Sequence, residues 1–504
     1  MGQLEPALVF AGFMGAGKSS AAKSVAAELG VRAIDSDHEI ERELGEPIDG
    51  WFERNGEAAF RDVEESVVLG LLERPDLRVL ALGGGSLQSE RVLEALRRHV
   101  VVFLDVDTDS AWHRASNGRP LARDRNRFAQ LHEERRPVYE RLADAWLPAV
   151  DRGTVRAALP ALGALARAEA RPRLIWAPAA SGEYPVFFGH GLVASGFFYP
   201  QDRRRFVLTD ENVARAHPFG GDWQQAIPPG ERSKTPAQAA SVTSAMAAAG
   251  VTRADILAAV GGGVVGDIGG FCAAVYQRGM PWVGVPTTLV AQVDSAFGGK
   301  TGVDLPEGKN YMGVYHQPSA VIVDPDTLRT LDSAERAAGY AEVVKTALIA
   351  GGRLWARVRR GGEVDDETIL GCIQTKLSIV AEDERDAGRR QVLNLGHTVA
   401  HAIEAATGYG RYRHGEAVAL GLLCALRLSE RPQLRDSVER LLQDHGLPVK
   451  LDGVTPEDVV ALLHRDKKRL GKHVPFVLVE QPGLVTPGHE IPQASVLAAL
   501  EELT

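Results

Sequence analysis

The sequence predicts an α/β protein with more than one core: a domain built around a phosphate-binding loop, then a second α/β layer, then a helical layer. Three observations predict it. The chain has 504 residues, whereas a single hydrophobic core stops growing at about 250 to 300 residues. Its 53 glycines, which follow no repeating period, suit the tight turns and close backbone approaches of nucleotide-binding α/β folds. Short apolar runs alternate with polar, helix-periodic stretches through roughly the first 165 residues, which is a βαβ pattern.

Composition narrows the function classes. With 45% hydrophobic and 24% charged residues, the chain is neither disordered nor fibrous. A formal net charge of -9 opposes broad attraction to a nucleic-acid backbone, so no nucleic-acid partner is expected and any anion site must be local. No apolar run approaches the roughly 18 to 20 residues of a membrane span, and Glu5 stands where a signal peptide needs basic residues. No membrane association and a cytoplasmic location are therefore expected. Cys272, Cys372 and Cys424 lack C-x-x-C spacing, which argues against a disulfide framework or a thiolate zinc site, so a metal is expected on histidine and carboxylate ligands.

In chain order, strands are expected at Ala7 to Phe10, Val31 to Ile34, Val79 to Leu82 and Val100 to Leu104, and a terminal helix at Ala158 to Ala170. Arg171-Pro172-Arg173 breaks that helix ahead of a strand at Leu174 to Trp176. A domain boundary is placed there. Strands with glycine turns, including Arg205 to Leu208 and Asp255 to Val260, continue to about residue 330. Helical patterns then dominate at Ala337 to Ile349, Gln391 to Ala406 and Glu416 to Leu428. The expected domains are 1–170, 171–330 and 331–504.

Gly12-Phe13-Met14-Gly15-Ala16-Gly17-Lys18-Ser19 fits G-x-x-x-x-G-K-[ST] between an apolar strand and an Ala-rich helix. Backbone N–H groups of Gly15, Ala16 and Gly17, with the Ser19 and Ser20 turn, converge on phosphate oxygens; Lys18 reaches the transferred phosphate and Ser19 holds magnesium. A plain glycine turn with a solvated lysine is the competing reading, and the complete motif in its correct place opposes it. Asp35 and Asp37 suit magnesium and a substrate hydroxyl, or equally a turn or helix cap. Phe60-Arg61, Gly83-Gly84-Gly85, Arg119-Pro120-Leu121 and Arg135-Arg136-Pro137-Val138-Tyr139 complete the set.

Together these segments resemble shikimate kinase, an ATP- and Mg2+-dependent P-loop kinase, over most of the first 165 or so residues. The resemblance implies that Asp37, Arg61, Gly83, Gly84, Gly85 and Arg135 bind shikimate, with Arg136 a competitor for the last role. It places the aspartate pair among the groups around shikimate and Arg119 beside ATP, while Ser19 and Asp35 remain the candidates for magnesium, and Lys18 and Asp37 for the transfer itself, on the reading of the residues alone. Shikimate is a small carboxylate bearing hydroxyls, suited to arginine pairs and an aspartate acceptor.

In the second half, Gly261-Gly262-Gly263-Val264-Val265-Gly266-Asp267 follows a buried strand as a phosphate-approach loop of a Rossmann-like domain, a weak signal alone because it is not G-x-G-x-x-G. Asp210 and Asn212 follow another strand, and Glu231 and Lys234 sit in a charged loop. His397 and His401 lie one helical turn apart, with Glu404 beyond them, and His414 and Glu342 lie on other helices. Two imidazoles and a carboxylate make a zinc site with an open position, although helical histidines are more often surface or core residues. Cations cluster near glycine turns: Arg278, Lys300, Lys309, Lys345, Lys376, Arg390, Lys467 and Lys468.

With Val293-Asp294-Ser295, Pro286-Thr287-Thr288-Leu289 and Asn394-Leu395-Gly396-His397, these segments resemble 3-dehydroquinate synthase over essentially all of 173–504. The resemblance implies an NAD-binding α/β domain followed by a helical metal-binding domain, with Zn2+ or Co2+ on Glu342, His397 and His414. It implies NAD+ contacts at Asp210, Asn212, Glu231, Lys234, Gly262, Gly263, Val264, Asp267, Thr287, Thr288, Lys300, Lys309 and Thr330. Around the phosphorylated substrate it implies Arg278, Asp294, Lys300, Lys309, Asn310, Lys345, Lys376, Asp386, Arg390, Asn394, His401 and one of Lys467 or Lys468. His401 then belongs to the substrate rather than the metal. One departure stands out, since Asp386 replaces the glutamate usual in the D-E-R-E segment of this family.

The implied chemistry is oxidation of a substrate hydroxyl at the expense of NAD+, loss of phosphate, re-reduction, ring opening and aldol closure to 3-dehydroquinate. The expected protein is thus a bifunctional shikimate-pathway enzyme acting on small molecules, dimeric through its second half. The alternatives are another sugar-phosphate cyclase or a polyol dehydrogenase in the second half, or a non-catalytic nucleotide-sensing scaffold. A dehydrogenase needs no phosphate cradle, and intact Lys18, Ser19, Asp35 and Asp37 oppose the scaffold.

Overall fold

The structure, a computed structural model, describes residues 6–115, 124–148, 152–463 and 475–504. It divides into two compact units, Met1–Ala177 with Glu183–Gly189, and Pro178–Gly182 with His190–Thr504. Arg119, Lys467 and Lys468 lie outside the described residues.

In the first unit the strands are β1 (Leu8–Ala11), β2 (Ala33–Asp35), β3 (Val79–Ala81), β4 (Val100–Asp105), β5 (Ala145–Pro148), β6 (Arg173–Ala177) and β7 (Tyr184–Phe188). Their spatial order is β2-β3-β1-β4-β5-β6-β7. Neighbours are parallel up to β6, and β6 and β7 form an antiparallel hairpin. All four residues of β1 are buried, as expected for a central parallel strand covered on both faces. Because the chain leaves β1 toward β2 and β3 and returns on its other side as β4, the β1 end is a topological switch point, where α/β sheets bind ligands.

The expected boundary at Arg171 precedes β6, whereas β6 and β7 group with the first unit. The reason is register: Ala145 faces Leu174 and Trp146 faces Ile175 in a parallel ladder. Arg171 itself takes φ +42, but the helix Arg152–Arg167 has already ended, short of the expected Ala170.

The second unit holds β8 (Arg205–Asp210), β9 (Trp223–Ile227), β10 (Ile256–Gly261), β11 (Trp282–Pro286) and β14 (Ala320–Val323) in the parallel order β14-β11-β10-β8-β9. A core including Leu208, Leu257, Ile268, Cys272 and Trp282 packs the helix Gly263–Val275 against this sheet. The hairpin β12 (Lys300–Leu305) and β13 (Gly308–Tyr315) follows. The helix Ser333–Ala350 is buried at every position from Ala338 to Ile349, the signature of a helix enclosed by its neighbours.

Two expectations change. Gln391 to Ala406 is not one helix: a 3-10 turn, Arg389–Asn394, is followed by a break, and the α-helix runs His397–Ala406. Gly396 causes this, with φ +78 and a backbone so close to the helix His414–Leu428 that a Cβ there would lie 2.9 Å from the Leu422 nitrogen. The helical part also contains a hairpin, β15 (Pro475–Gln481) and β16 (Leu484–Glu490), turned by Pro482-Gly483. All three cysteines are buried and free, and among the described residues no helix is long and apolar enough to cross a membrane.

Candidate active sites

In the first unit the functional segments leave the carboxyl ends of parallel strands. After β1 the chain forms the phosphate loop and enters the helix Lys18–Leu29 through Gly17, which takes φ +89 and supplies no side-chain cap. The first N–H groups of that helix are thus open to an anion. A Cβ on Gly15 would fall 2.4 Å from the Ala111 carbonyl oxygen, so the loop admits only glycine there. The Lys18 ammonium donates to the carbonyls of Gly12 at 2.9 Å and Phe13 at 3.2 Å. Ser19 and Ser20 are exposed on the first turn.

After β2, Asp35 caps the helix Ser36–Leu44 by accepting the Asp37 N–H at 3.1 Å, so the cap reading of Asp35 is realised. Asp37 stands on the first turn and its Oδ1 lies 2.6 Å from where a Cβ on Gly83 would be. A Cβ on Gly85 would meet Arg61 Nη1 at 1.9 Å. Arg135 Nη1 and Tyr139 Oη each donate to the Gly84 carbonyl at 3.2 Å. Asp37, Arg61 and Arg135 thereby converge on the triple glycine from three helices, whereas Arg136 is taken up by Asp105 and Glu140, both at 2.7 Å. Burial pushes the Tyr139 phenol up to about 12, which keeps it a donor at neutral pH. Glu64, missed in the sequence reading, is buried and accepts from Arg61 at 2.5 Å and from the Ser86 hydroxyl at 2.9 Å. Its i,i+3 spacing from Arg61 was the available signal.

In the second unit β10 runs into Gly261-Gly262-Gly263. A Cβ on Gly262 would meet Thr288 Cγ2 at 2.8 Å, and one on Gly263 would meet Ser295 Oγ at 3.1 Å. The hydroxyls of Thr287 and Ser295 are buried beside this turn without a hydrogen-bond partner. Closely approachable backbone with unmet polar atoms fits a dinucleotide phosphate. Val264 and Asp267 follow on the helix, and Asp267 pairs with Lys234 at 2.5 Å. Asp210, at the end of β8, caps the next helix through the N–H groups of Asn212 and Val213. Asn212 Oδ1 accepts from Arg215 at 2.6 Å, and Thr330 Oγ1 lies 2.6 Å from His217 Nε2.

The metal candidates meet at one point. Nε2 of His397 and Nε2 of His414 each lie 3.5 Å from Glu342 Oε1, and one ligand atom from each residue falls within 4.8 Å of the others. Both histidines are first residues of their helices. His397 Nδ1 lies 3.2 Å from the Leu395 carbonyl and His414 Nδ1 lies 3.4 Å from Glu404 Oε2. Both rings therefore present Nε2 to the carboxylate with the opposite nitrogen held, the arrangement of ligating histidines. Burial opposes charge on His414, yet the hydrogen bonds and charges of Glu342 and Glu404 push it up to about 10. Two imidazoles with one carboxylate fit zinc or cobalt. His401 stands outside this ligand group, its ring centre 5.6 Å from that of His397.

Three of the expected lysines, Lys345, Lys376 and Lys309, connect to that point through carboxylates. Asp294 sits on a single π-helical turn, Ala291–Ser295, a distortion frequent at functional sites. It accepts the ammonium groups of Lys345, at 2.7 Å, and Lys376, and Lys345 also reaches Glu342 at 2.5 Å. Lys300 pairs with Asp386 at 2.5 Å, and Lys309 pairs with Glu404 at 3.0 Å and Glu231 at 3.3 Å. Burial would raise the Glu404 carboxyl, but His414, Lys309 and His401 hold it down to about 2. Arg390 is fully buried and donates to the carbonyls of Glu384 and Gly298, so in this geometry it braces the loop. Asn310 is exposed, with its N–H on Asp304 and φ +57, and Asn394 is half-buried in the 3-10 turn. Arg278 is exposed at φ +68, and no described contact joins it to the cluster.

A profile of the shikimate kinase family matches residues 14–157, and profiles of the N-terminal and C-terminal parts of 3-dehydroquinate synthase match 224–338 and 339–469. The 3-dehydroquinate synthase of Symbiobacterium thermophilum is 39% identical over 353 residues, which are 64% of this chain and 98% of that protein. The chain belongs to the 3-dehydroquinate synthase family. The synthase of Acidithiobacillus ferrooxidans is 41% identical over 347 residues, 63% of this chain and 94% of the relative. Among solved structures, 2-epi-5-epi-valiolone synthase from Streptomyces hygroscopicus, with NAD+ and Zn2+ bound, superposes with a TM-score of 0.57 at 27% identity, over 64% of this chain and 96% of that one. A 2-deoxy-scyllo-inosose synthase at 24% identity, matched over 66% of this chain and all of its own, with a TM-score of 0.57, shares the fold. A 3-dehydroquinate synthase is thus fused behind a shikimate kinase domain, and the chain is a bifunctional shikimate-pathway enzyme. The valiolone synthase, at 27% identity, stands further off than these two 3-dehydroquinate synthases.

Proposed function

We propose that the segment 1–170 phosphorylates shikimate from ATP and Mg2+, and that 171–330 and 331–504 form the NAD-binding and metal-binding parts of a site that converts 3-deoxy-D-arabino-heptulosonate 7-phosphate to 3-dehydroquinate. The observation that carries the reading is the convergence of Glu342, His397 and His414 within reach of the buried Lys345 and its partner Asp294.

In the kinase part, Lys18 and the N–H groups of Gly15 to Ser19 neutralise the transferred phosphate, and Ser19 with Asp35 supports magnesium. Arg61 and Arg135 take the shikimate carboxylate, and Asp37 accepts the proton of the attacking hydroxyl. Glu64 fixes Arg61 at 2.5 Å, which sets the arginine before substrate arrives.

In the synthase part, bound NAD+ supplies reversible hydride transfer and the divalent ion supplies Lewis acidity at adjoining oxygens. Asp294 aligns Lys345 and Lys376, whose ammonium groups attract the anionic substrate and steady its hydroxyls. Lys300 and Asn310 stand ready for phosphate oxygens, His401 lies beside the metal ligands, and Asp386 orients Lys300. The glycine turn at Gly262 and Gly263 lets the dinucleotide backbone approach, with Thr287 and Thr288 behind it.

A cytoplasmic enzyme, dimeric through the synthase part, is consistent with an acidic chain whose three thiols are free. The deciding assay follows phosphate release from the heptulosonate phosphate and ADP formation with shikimate, on one purified sample. Absence of either activity in folded, metal- and NAD-loaded protein would remove the corresponding half of the proposal.

A further inference from the structure

Glu404 belongs to neither the ligand trio nor the lysine set, yet its carboxylate touches both. It is 1% exposed on the helix His397–Ala406. His397, His401 and Glu404 are spaced i, i+4, i+7, so one face of that helix delivers a metal ligand at its start and this carboxylate near its end. Oε2 lies 3.4 Å from His414 Nδ1, and Oε1 accepts the Lys309 ammonium at 3.0 Å. Lys309 comes from β13 and also meets Glu231 beyond β9 at 3.3 Å. A continuous line therefore runs from the nucleotide-binding sheet through Lys309 and Glu404 to His414 and Glu342.

We infer that Glu404 is a positioning residue that fixes His414 in the tautomer presenting Nε2 to the metal while anchoring Lys309 over the same site. The inference rests on the metal reading above. A carboxylate at Nδ1 requires the N–H on that nitrogen, which leaves the Nε2 lone pair for the ion and raises ligand basicity. The two oxygens have separate tasks, so the isosteric amide cannot perform both: its oxygen accepts from one donor, and its NH2 group opposes the other.

The test measures zinc affinity by chelator competition, and the absorption spectrum of the cobalt-loaded protein, in full-length Glu404→Gln, Glu404→Asp, Lys309→Met and His414→Ala. Glu404→Gln should weaken zinc about 10- to 100-fold and alter the cobalt spectrum. Glu404→Asp, which keeps the charge with shorter reach, should lose less, and it decides the matter if the amide variant does not fold. Lys309→Met should bind zinc at least as tightly as the unaltered protein, because the Glu404 carboxylate is then no longer shared between Lys309 and His414. If Glu404→Gln and Glu404→Asp hold zinc normally while His414→Ala loses it, the inference fails and the ligand trio stands. If Lys309→Met weakens zinc as much as Glu404→Gln, general charge balance rather than positioning is at work, and the inference fails. If His414→Ala itself keeps full affinity, the trio and the inference fall together.

Discussion

Asp386 accepts the Lys300 ammonium at 2.5 Å from a backbone held at φ +62. That left-handed conformation costs an ordinary L-residue about 1 to 2 kcal/mol, and aspartate is among the few that visit it routinely. The shorter acid is therefore matched to its backbone and already reaches the lysine. Asp386→Glu should leave synthase turnover unchanged or lower it, with a small loss of thermal stability. A large gain in turnover would show that the missing methylene is a handicap after all.

Removal of the metal separates the two activities. Dialysis against a chelator followed by assay in excess Mg2+ should abolish phosphate release from the heptulosonate phosphate and leave ADP formation with shikimate intact. Zinc or cobalt should restore the lost activity. His397→Ala should lose the metal, and full synthase turnover in metal-free protein would refute the assignment.

Lys376 sets a pH limit on the synthase. Burial lowers its pKa, Asp294 opposes that, and Lys345 and Arg390 reinforce it, leaving it at about 8. Below that pH the side chain is an ammonium that attracts the anionic substrate; above it the side chain is neutral. A phosphate monoester, with its second pKa near about 6, is already dianionic in this window, so the substrate adds no opposing titration. KM for the phosphorylated substrate should rise as pH increases through about 8, and Lys376→Arg should flatten the rise. A KM constant from pH 7 to 9.5 would exclude Lys376 from binding.

What was legible in the sequence followed from proximity along the chain. The phosphate loop is eight consecutive residues between a strand and a helix, so motif and context could be read together. Arg61 and Arg135 are readable only through family resemblance, and Asp37 locally only as one of two alternatives, since their meeting at the triple glycine depends on three separate helices. Local spacing puts Glu404 on the helix face of His397 and His401, but its partner Lys309 is 95 residues away, so the pairing itself is not legible. Glu384 holds the Ser181 N–H at 2.9 Å across 203 residues, a contact no spacing rule reaches. The break before His397 is not legible because the close approach of Gly396 to the helix His414–Leu428 comes from a packed neighbour rather than from the local sequence.

Gly85 offers a test of the shikimate site that leaves the backbone alone. Its φ of -92 is open to alanine, but the added Cβ would lie 1.9 Å from Arg61 Nη1. The flexible end of Arg61 must therefore shift away from the triple glycine and from Glu64. Gly85→Ala should raise KM for shikimate about tenfold or more, the scale of one lost charge-assisted contact, with synthase turnover unchanged. An unaltered KM would mean that Arg61 does not touch shikimate from this position.

The final expectation concerns where the chain can be cut. Arg171 follows the last helix of the kinase part, and the separate motif sets on either side make it the natural place to divide the two activities. Yet β6 begins only two residues later and lies in parallel register along β5, whose Ala145, Trp146 and Leu147 are buried. A fragment ending at residue 170 exposes the N–H and C=O groups along that side of β5 and uncovers Trp146, whereas one ending at residue 189 keeps the β6–β7 hairpin in place. An uncovered strand edge is both less stable and prone to pairing with other chains. The shorter fragment should retain shikimate phosphorylation, because the phosphate loop, Asp37, Arg61 and Arg135 all lie before the cut. It should melt several degrees lower than the longer one, since about 1 kcal/mol shifts Tm by roughly 2 to 4 °C at this size, and it should aggregate more readily. Equal melting temperatures and equal solubility would show that β6 adds nothing to the kinase unit. A loss of activity in the shorter fragment, with its far-ultraviolet circular dichroism unchanged, would mean instead that the hairpin reaches the catalytic geometry itself.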